Sequence, residues 1–223
     1  MSFKSLDLVF LGPPGSGKGT QARLLAERFQ IAHISSGDVL RDEVQRRSAL
    51  GQEVEPTVNG GGLVPNRLLG GIILRRLHRE RCPRGFLLDG FPRNVEQANL
   101  LDDFLAELGR SIERVLLFRV VDEVALERLR GRRVHPGSGR AYHPVLDPPR
   151  VVDRDDLTGE ELVHLPEDEE DIIRRRMRTY RESTAPLEEH YQARGLLVAI
   201  DANRPKDEVT DTIMRAIGAP VGA

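Results

Sequence analysis

One cysteine, three lysines, three tyrosines and no tryptophan are all that the 223 residues hold of these four types. The single Cys82 allows no internal disulfide and no cysteine zinc cluster, so the chain fits a reducing compartment, and a cytoplasmic location is expected. No apolar run near the start is long enough for a signal-peptide core or a membrane span. The first residues carry Lys4 and Asp7 around a short apolar stretch that reads as a buried strand. A large charge of either sign is also missing: 30% of residues are charged, yet the net charge is -2. Neither nucleic acid nor an anionic membrane is therefore expected as a partner. The shortage of lysine is set against thirty arginines. Arginine suits bidentate phosphate binding, but so broad a bias is as well explained by genomic base composition. The sequence has neither an internal repeat nor a low-complexity tract. Its length allows a substantial core, in one domain with insertions or in two small domains.

What is present is organised around Leu8-Val9-Phe10-Leu11-Gly12-Pro13-Pro14-Gly15-Ser16-Gly17-Lys18-Gly19-Thr20. An apolar run ends in a glycine-rich loop, and Gln21 to Phe29 follow with helical spacing, which is the order strand, phosphate loop, helix. Gly12, Gly15, Gly17 and Gly19 can take backbone angles closed to other residues. Consecutive N–H groups can then converge on one anion at the positive end of the helix dipole. Lys18 is placed to bridge outer phosphates, and Thr20 to face a magnesium ion or its water shell.

Further along, Ile31–Ile34 is a short apolar run, and Ser36 or Asp38 is placed to cap the helix after it, which Gly51 is expected to break. Glu53 to Asn59 reads as a short helix. Gly60-Gly61-Gly62 and Pro65 mark a hinge-like boundary before a long amphipathic helix from Asn66 to Arg81. Gly85 to Asp89 is a buried strand ending in an acid. Parallel sheets gather ligands at the carboxyl ends of their strands, which puts Asp89 near the phosphate loop and any magnesium there. Helix from Asn94 to Leu108, strand from Glu113 to Val120 and helix from Asp122 to Gly131 continue the alternation. Pro136, Pro144, Pro148, Pro149 and Pro166 then interrupt the periodicity, and 131–168 reads as an inserted β-rich flap of functional length. Glu169 to Tyr191 reads as one strong helix, Leu196 to Asp201 as the last strand and Pro205 to Ile217 as a closing helix. The alternation gives an α/β fold with a parallel sheet.

Several separated stretches together resemble adenylate kinases of the long-lid form. They are Gly12 to Gln21, Ile34 to Arg41, Gly85 to Arg93 with Gln97, Gly131 to His135, Ser138 to His143, Asp155 to Glu160 and Thr184 to Leu187. The match covers nearly the whole chain. It implies reversible phosphoryl transfer from ATP to AMP, giving two ADP, with magnesium, by a monomer. The implied fold is a P-loop NTPase-type parallel five-stranded sheet flanked by helices. The implied core is 1–34, 65–130 and 169–223, with a helical AMP-binding flap over 35–64 and a lid over 131–168.

Residue by residue, the resemblance implies that Gly15, Ser16, Gly17, Lys18, Gly19 and Thr20 hold ATP phosphates. Arg128 stacks on the ATP base, and Tyr142, His143 and Arg204 lie on the ATP side. Arg41 and Arg93 clamp the AMP phosphate, while Ser36, Val64, Gly90 and Gln97 surround the AMP adenine and ribose. Arg132 and Arg176 close on the transferring phosphate, Asp168 stays near the reacting site, and Thr20 and Asp89 hold magnesium through water. His135, Ser138, Asp155 and Thr158 match the zinc-free form of the lid, where a polar network replaces the metal. His135, His143 and His164 lack the paired spacing of a structural zinc site, so no zinc is expected. One departure is plain. The family's lid pattern Arg-x-Asp-Asp falls on Leu165-Pro166-Glu167-Asp168, so leucine stands where an arginine contacts both nucleotides' phosphates.

Each of these residues also has an ordinary reading. An isolated arginine is most often a solvated surface group, Asp89 can simply form a strand-end turn, and Gln97 can be a solvated polar residue. The acidic run Glu167 to Asp171 suits the start of a helix. Among rivals, a guanine-nucleotide switch needs an Asn-Lys-x-Asp reader, and no lysine here follows asparagine. A non-catalytic nucleotide-binding module, and a kinase of another monophosphate or donor, remain as alternatives.

Overall fold

The computed structural model describes residues 5–80 and 82–220; Lys4 and Arg81, which figure in the expectations above, lie outside them. Among the described residues seven strands form: β1 (Leu6–Leu11), β2 (Ala32–Ser35), β3 (Gly85–Asp89), β4 (Arg114–Arg119), β5 (Arg133–Val134), β6 (Ala141–Tyr142) and β7 (Leu197–Asp201). Five of them make one parallel sheet in the order β2-β3-β1-β4-β7. The described residues also form nine α-helices: α1 (Lys18–Phe29), α2 (Ser36–Gln45), α3 (Ala49–Asn59), α4 (Asn66–Glu80), α5 (Val95–Glu107), α6 (Asp122–Arg130), α7 (Glu170–Thr179), α8 (Leu187–Gln192) and α9 (Lys206–Ala216).

β1 is apolar along almost its whole length because it is the central strand and helices cover both of its faces. Its side chains alternate between two cores. Val9 and Leu11 join a cluster with Leu69, Ile73, Leu101 and Leu187, whereas Leu8 and Phe10 join one with Ala22, Leu25, Val209 and Ile213. Asp7, in the same strand, is buried and takes Arg110 at 2.5 and 2.9 Å. Pairing supplies the geometry that matters next. Phe10 lies opposite Asp89, and Asp89 opposite Ser35, so the carboxyl ends of β1, β3 and β2 meet along one edge.

The structure corrects four local expectations. Ser35, not Ser36 or Asp38, caps α2, accepting from the Asp38 backbone N–H at 3.2 Å; both candidates are thereby freed for other contacts. Gly51 does not break a helix. It lies inside α3, packed on the backbone of Glu43 in α2, and Ser48 starts α3 by accepting from the Gly51 N–H at 2.9 Å. The stretch from Glu169 to Tyr191 is not continuous: after α7 the chain passes through a π turn at Tyr180–Thr184 before α8. Pro186 offers no N–H to the ladder, and Ala185 donates five residues back to Tyr180 at 3.0 Å. The 131–168 segment is poor in strand. β5 and β6 pair antiparallel, isolated bridges join Val134 to Val163, His143 to Asp147 and Arg154 to Glu161, and the rest is mostly turns. Its prolines remove the donors that longer ladders need.

Side chains replace those ladders. Asp155, buried, accepts from Arg140 at 2.8 and 2.6 Å, from the Tyr142 hydroxyl at 3.0 Å and from the Thr158 N–H and hydroxyl at 2.9 and 3.0 Å. The Arg140 hydrogen bonds hold its carboxyl far below the usual carboxylate range, against the opposing effect of burial. His135 stands 2.8 Å from Ser138 and 3.3 Å from Thr158. The segment rests on the rest of the chain through Asp147 to Lys206 at 3.1 Å and Glu167 to Arg41 at 2.8 Å. No helix of the described residues is long and apolar enough to cross a membrane.

Candidate active site

Below the 131–168 segment lies a cavity of about 750 Å³. Nine cationic side chains line it against four carboxylates, an excess suited to polyanions. The floor is the loop from Gly12 to Gly17. Gly17, at φ 85°, starts α1 without any side-chain cap, and no acid stands in the first turn. The helix therefore presents its N-terminal N–H groups and its positive dipole end to the cavity. Lys18 folds back over this loop and donates to the Gly12 and Pro13 carbonyls at 2.8 Å each and to Ser16 Oγ at 3.1 Å. Burial lowers its pKa to about 8, opposed by Asp89 and reinforced by Arg176, Arg93 and Arg132. Thr20 and Asp89 share this part of the wall. Asp89 Oδ2 lies 3.4 Å from the position a methyl group on Gly19 would take.

A second wall comes from the far side of the sheet edge. Arg93, in the turn after β3, donates from Nε to the Gly90 carbonyl at 2.8 Å, and Ser36 Oγ donates to the same oxygen at 2.8 Å. Burial lowers the pKa of Arg93 even with Asp89 and Glu167 nearby. Val64 and Gly90 line this wall with Ser36. Gln97 does not. It is buried behind the turn, where Oε1 accepts from the Arg93 N–H at 2.8 Å and Nε2 donates to Asn66 at 2.9 Å.

Between the walls the arginines are gathered by two acids. Asp168 is 1% exposed and takes Arg132 at 2.6 and 2.8 Å and Arg176 at 3.2 Å, so it fixes two guanidinium planes without lining the cavity itself. Glu167 does line it, 6% exposed, with Arg41 at 2.8 Å, Arg132 at 3.6 Å and Arg176 at 3.8 Å. Burial lowers the pKa of Arg176 to about 10, with Arg132 and Arg93 adding to the effect and Glu167 and Asp168 opposing it. Arg41 is raised instead: burial is outweighed by Glu167 and Asp38.

Arg128, Tyr142, His143 and Arg204 occupy the remaining rim. Arg128 donates to the Ala202 carbonyl at 2.9 Å and Arg204 to Asp201 at 3.3 Å. Tyr142 turns its hydroxyl to Asp155, while His143 Nε2 lies 3.4 Å from the Glu127 carbonyl oxygen. Leu165 lines the cavity just before the one-turn 3-10 helix Pro166–Asp168.

The cavity thus gathers nine cationic side chains between two differently lined walls. The family model described as adenylate kinase matches residues 10–196. The chain belongs to the adenylate kinase family. It is similar to a protein named adenylate kinase in Vanderwaltozyma polyspora, 41% identical over 96% of this chain and 97% of the relative. A Kluyveromyces lactis protein of the same name is 39% identical over 96% and 95%. One from Caldicellulosiruptor bescii is 41% identical over 95% and 98%. This adenylate kinase family member is a nucleoside monophosphate kinase, and the family reaction is reversible phosphoryl transfer between ATP and AMP.

Sequence reasoning missed Glu167 as a hub and Arg23 and Asp38 as parts of the wall. The acidic run hid Glu167, because a favourable helix start accounted for it and the resemblance singled out only Asp168 of the five acids. Only Glu170 and Asp171 occupy the first turn of α7; Glu167 and Asp168 precede it and turn inward.

Proposed function

We propose that transfer takes place in this cavity, with ATP on the phosphate-loop side and AMP on the side of Ser36, Val64, Gly90 and Arg93. The core is 1–34, 65–130 and 169–223, the AMP flap 35–64 and the lid 131–168. The observation that carries the reading is the placement of Lys18, Arg41, Arg93, Arg132 and Arg176 on one cavity between two differently lined walls.

The chemistry asks little covalent work of the protein. The AMP phosphate is largely ionised at neutral pH, so no general base is needed to make it a nucleophile. One of its oxygens forms a bond to the γ-phosphorus as the bond to the β-phosphate oxygen breaks, and the electron pair leaves on ADP. Arg41 and Arg93 hold the acceptor phosphate. Arg132 and Arg176 share the charge of the migrating group, kept in plane by Asp168. The loop N–H groups of Gly15 to Thr20 and the Lys18 ammonium hold the donor, with Arg128, Tyr142, His143 and Arg204 around its nucleoside. Gln97 acts from behind, through the Arg93 backbone. Lid closure excludes water, which would otherwise take the phosphoryl group.

Thr20 and Asp89 are the groups that would hold magnesium, through water. Both are hard oxygen donors beside the loop, which is what this ion prefers. Bound with the nucleotide, the ion neutralises and orients phosphate oxygens. The lid is held by His135, Ser138, Asp155 and Thr158 through hydrogen bonds rather than by zinc. A cytoplasmic monomer fits the lone free Cys82 and a cavity lined by one chain on both walls.

A coupled assay over pairs of nucleoside mono- and triphosphates tests the assignment. AMP should be preferred over GMP, CMP and UMP as acceptor, and ATP over GTP as donor. Equal or better turnover of another monophosphate sinks the substrate assignment and leaves the reaction class standing.

A further inference from the structure

α1 carries one cavity-lining arginine to which nothing above gives a role. Arg23 follows Thr20 by three residues, so its side chain leaves the helix on the same face, one turn further from the loop. It reaches past the phosphate loop to Asp38, with Nη2 3.3 Å from the carboxylate, and only 28% of its side chain is exposed. Asp38 is shared. Its other oxygen takes Arg41 Nη2 at 2.5 Å, and Arg41 Nη1 takes Glu167 at 2.8 Å. A chain of charges thus runs from α1 through α2 to the base of the lid: Arg23, Asp38, Arg41, Glu167. The lid covers its first link. Gly139, in the turn between β5 and β6 at φ +66°, lies so close that a Cβ there would stand 2.7 Å from Arg23 Nη2 and 3.0 Å from Asp38 Oδ1.

This arrangement poses an exchange problem. To present the paired Nη1 and Nη2 edge of its fork to a substrate phosphate, Arg41 must turn away from Glu167 and Asp38, which those two nitrogens now hold. When Arg41 turns to the phosphate, Asp38 loses its closer partner under a lid that limits hydration. A carboxylate left without a cation in a partly buried site is costly. Arg23 already stands at that carboxylate.

We propose that Arg23 is a positioning residue for the acceptor nucleotide: it keeps Asp38 paired while Arg41 leaves to bind the acceptor phosphate. The inference rests on the reading of Arg41 as an AMP phosphate clamp. Arg23 itself touches no substrate in this scheme, and its effect is confined to the acceptor side.

The test is steady-state kinetics with AMP and ATP varied separately, on Arg23→Gln, Asp38→Asn, the double variant and Arg41→Ala. Arg23→Gln should raise KM for AMP about 5- to 10-fold, with KM for ATP and kcat within about 2-fold of wild type. In the Asp38→Asn background the same change should alter KM for AMP by less than about 2-fold, because no charge then needs a partner. Arg23→Lys should restore most of the loss. An equal effect of Arg23→Gln in both backgrounds, an equal rise in both KM values, or no rise at all overturns the proposal. Arg41→Ala separates the two readings: if it leaves KM for AMP unchanged, the clamp assignment has failed, and the proposal falls with it.

Discussion

Lys18 shows how one residue can serve folding and catalysis with opposite signs. Burial brings its pKa down from the ordinary 10.5 to about 8. Between those values the unfolded chain binds a proton at this position and the folded chain does not. Its contribution to stability therefore rises with pH across that window. Phosphate binding wants the opposite, because only the ammonium attracts the nucleotide. We expect kcat/KM for ATP to be flat with respect to this group below about pH 8 and to fall by up to about tenfold per unit above it. A pH–rate profile checks this, with Lys18→Gln lacking that limb.

Leu165 is the other residue on which the site turns. It lines the cavity where the resemblance leads one to expect an arginine, and Arg41, Arg132 and Arg176 already gather around Glu167 nearby. In the proposed mechanism those arginines and Arg93 share the charge of transfer, so the enzyme is expected to be active without the missing cation. Leu165→Arg should raise kcat/KM about 10-fold if the new guanidinium reaches the phosphates. Steady-state kinetics on a variant with an unchanged melting temperature decides. No gain means that another residue already fills this role or that the lid pattern is placed out of register.

At the scale of elements, the lid segment is held by side chains where a ladder is short. Asp155 is its centre, joining Arg140, Tyr142 and Thr158. Its carboxyl is held far below the usual carboxylate range, so its stabilisation is complete above about pH 4 and is lost only as pH falls through the depressed value. Asp155→Asn removes the charge that Arg140 pairs with at 2.6 Å. Because the network is local, the variant should open its lid without unfolding its core. Limited proteolysis within 131–168 should become several-fold faster while the main melting temperature moves by less than about 2 °C. A matched loss in both would mean that lid and core unfold as one unit.

For the whole molecule, the proposed closure would join these parts. The 131–168 segment touches α9 through Asp147 and Lys206 and touches α2 through Glu167 and Arg41, so it is seated on both of the segments proposed as core and AMP flap. Asp168 also pairs with Arg176 of α7 at 3.2 Å, so opening has to break or exchange ion pairs, which substrate phosphates can replace. A two-headed ATP–AMP mimic should protect both 35–64 and 131–168 from proteolysis at saturation. Unchanged cleavage of either segment would show that it does not close on substrate.

Local chemistry made much of this legible in the amino-acid sequence. The glycines of the phosphate loop, the apolar runs and the helical spacings constrain the chain over a few residues. Strand, loop, helix and their alternation follow from them. So did the residue types around the phosphates, through the resemblance of separated motifs. What the tertiary structure alone decided is which charge meets which. Arg23 and Asp38 lie 15 positions apart, and Arg41 and Glu167 lie 126 apart. Those pairs exist because the β2-β3-β1 edge and the folded-down lid bring distant segments within 3 or 4 Å. The same holds for Gln97, to which the resemblance alone gave a place by the AMP adenine and whose amide oxygen accepts from the Arg93 backbone N–H. Periodicity and backbone permission are carried along the chain, whereas Coulomb attraction and hydrogen bonding depend on distance through space, which only the packed fold sets.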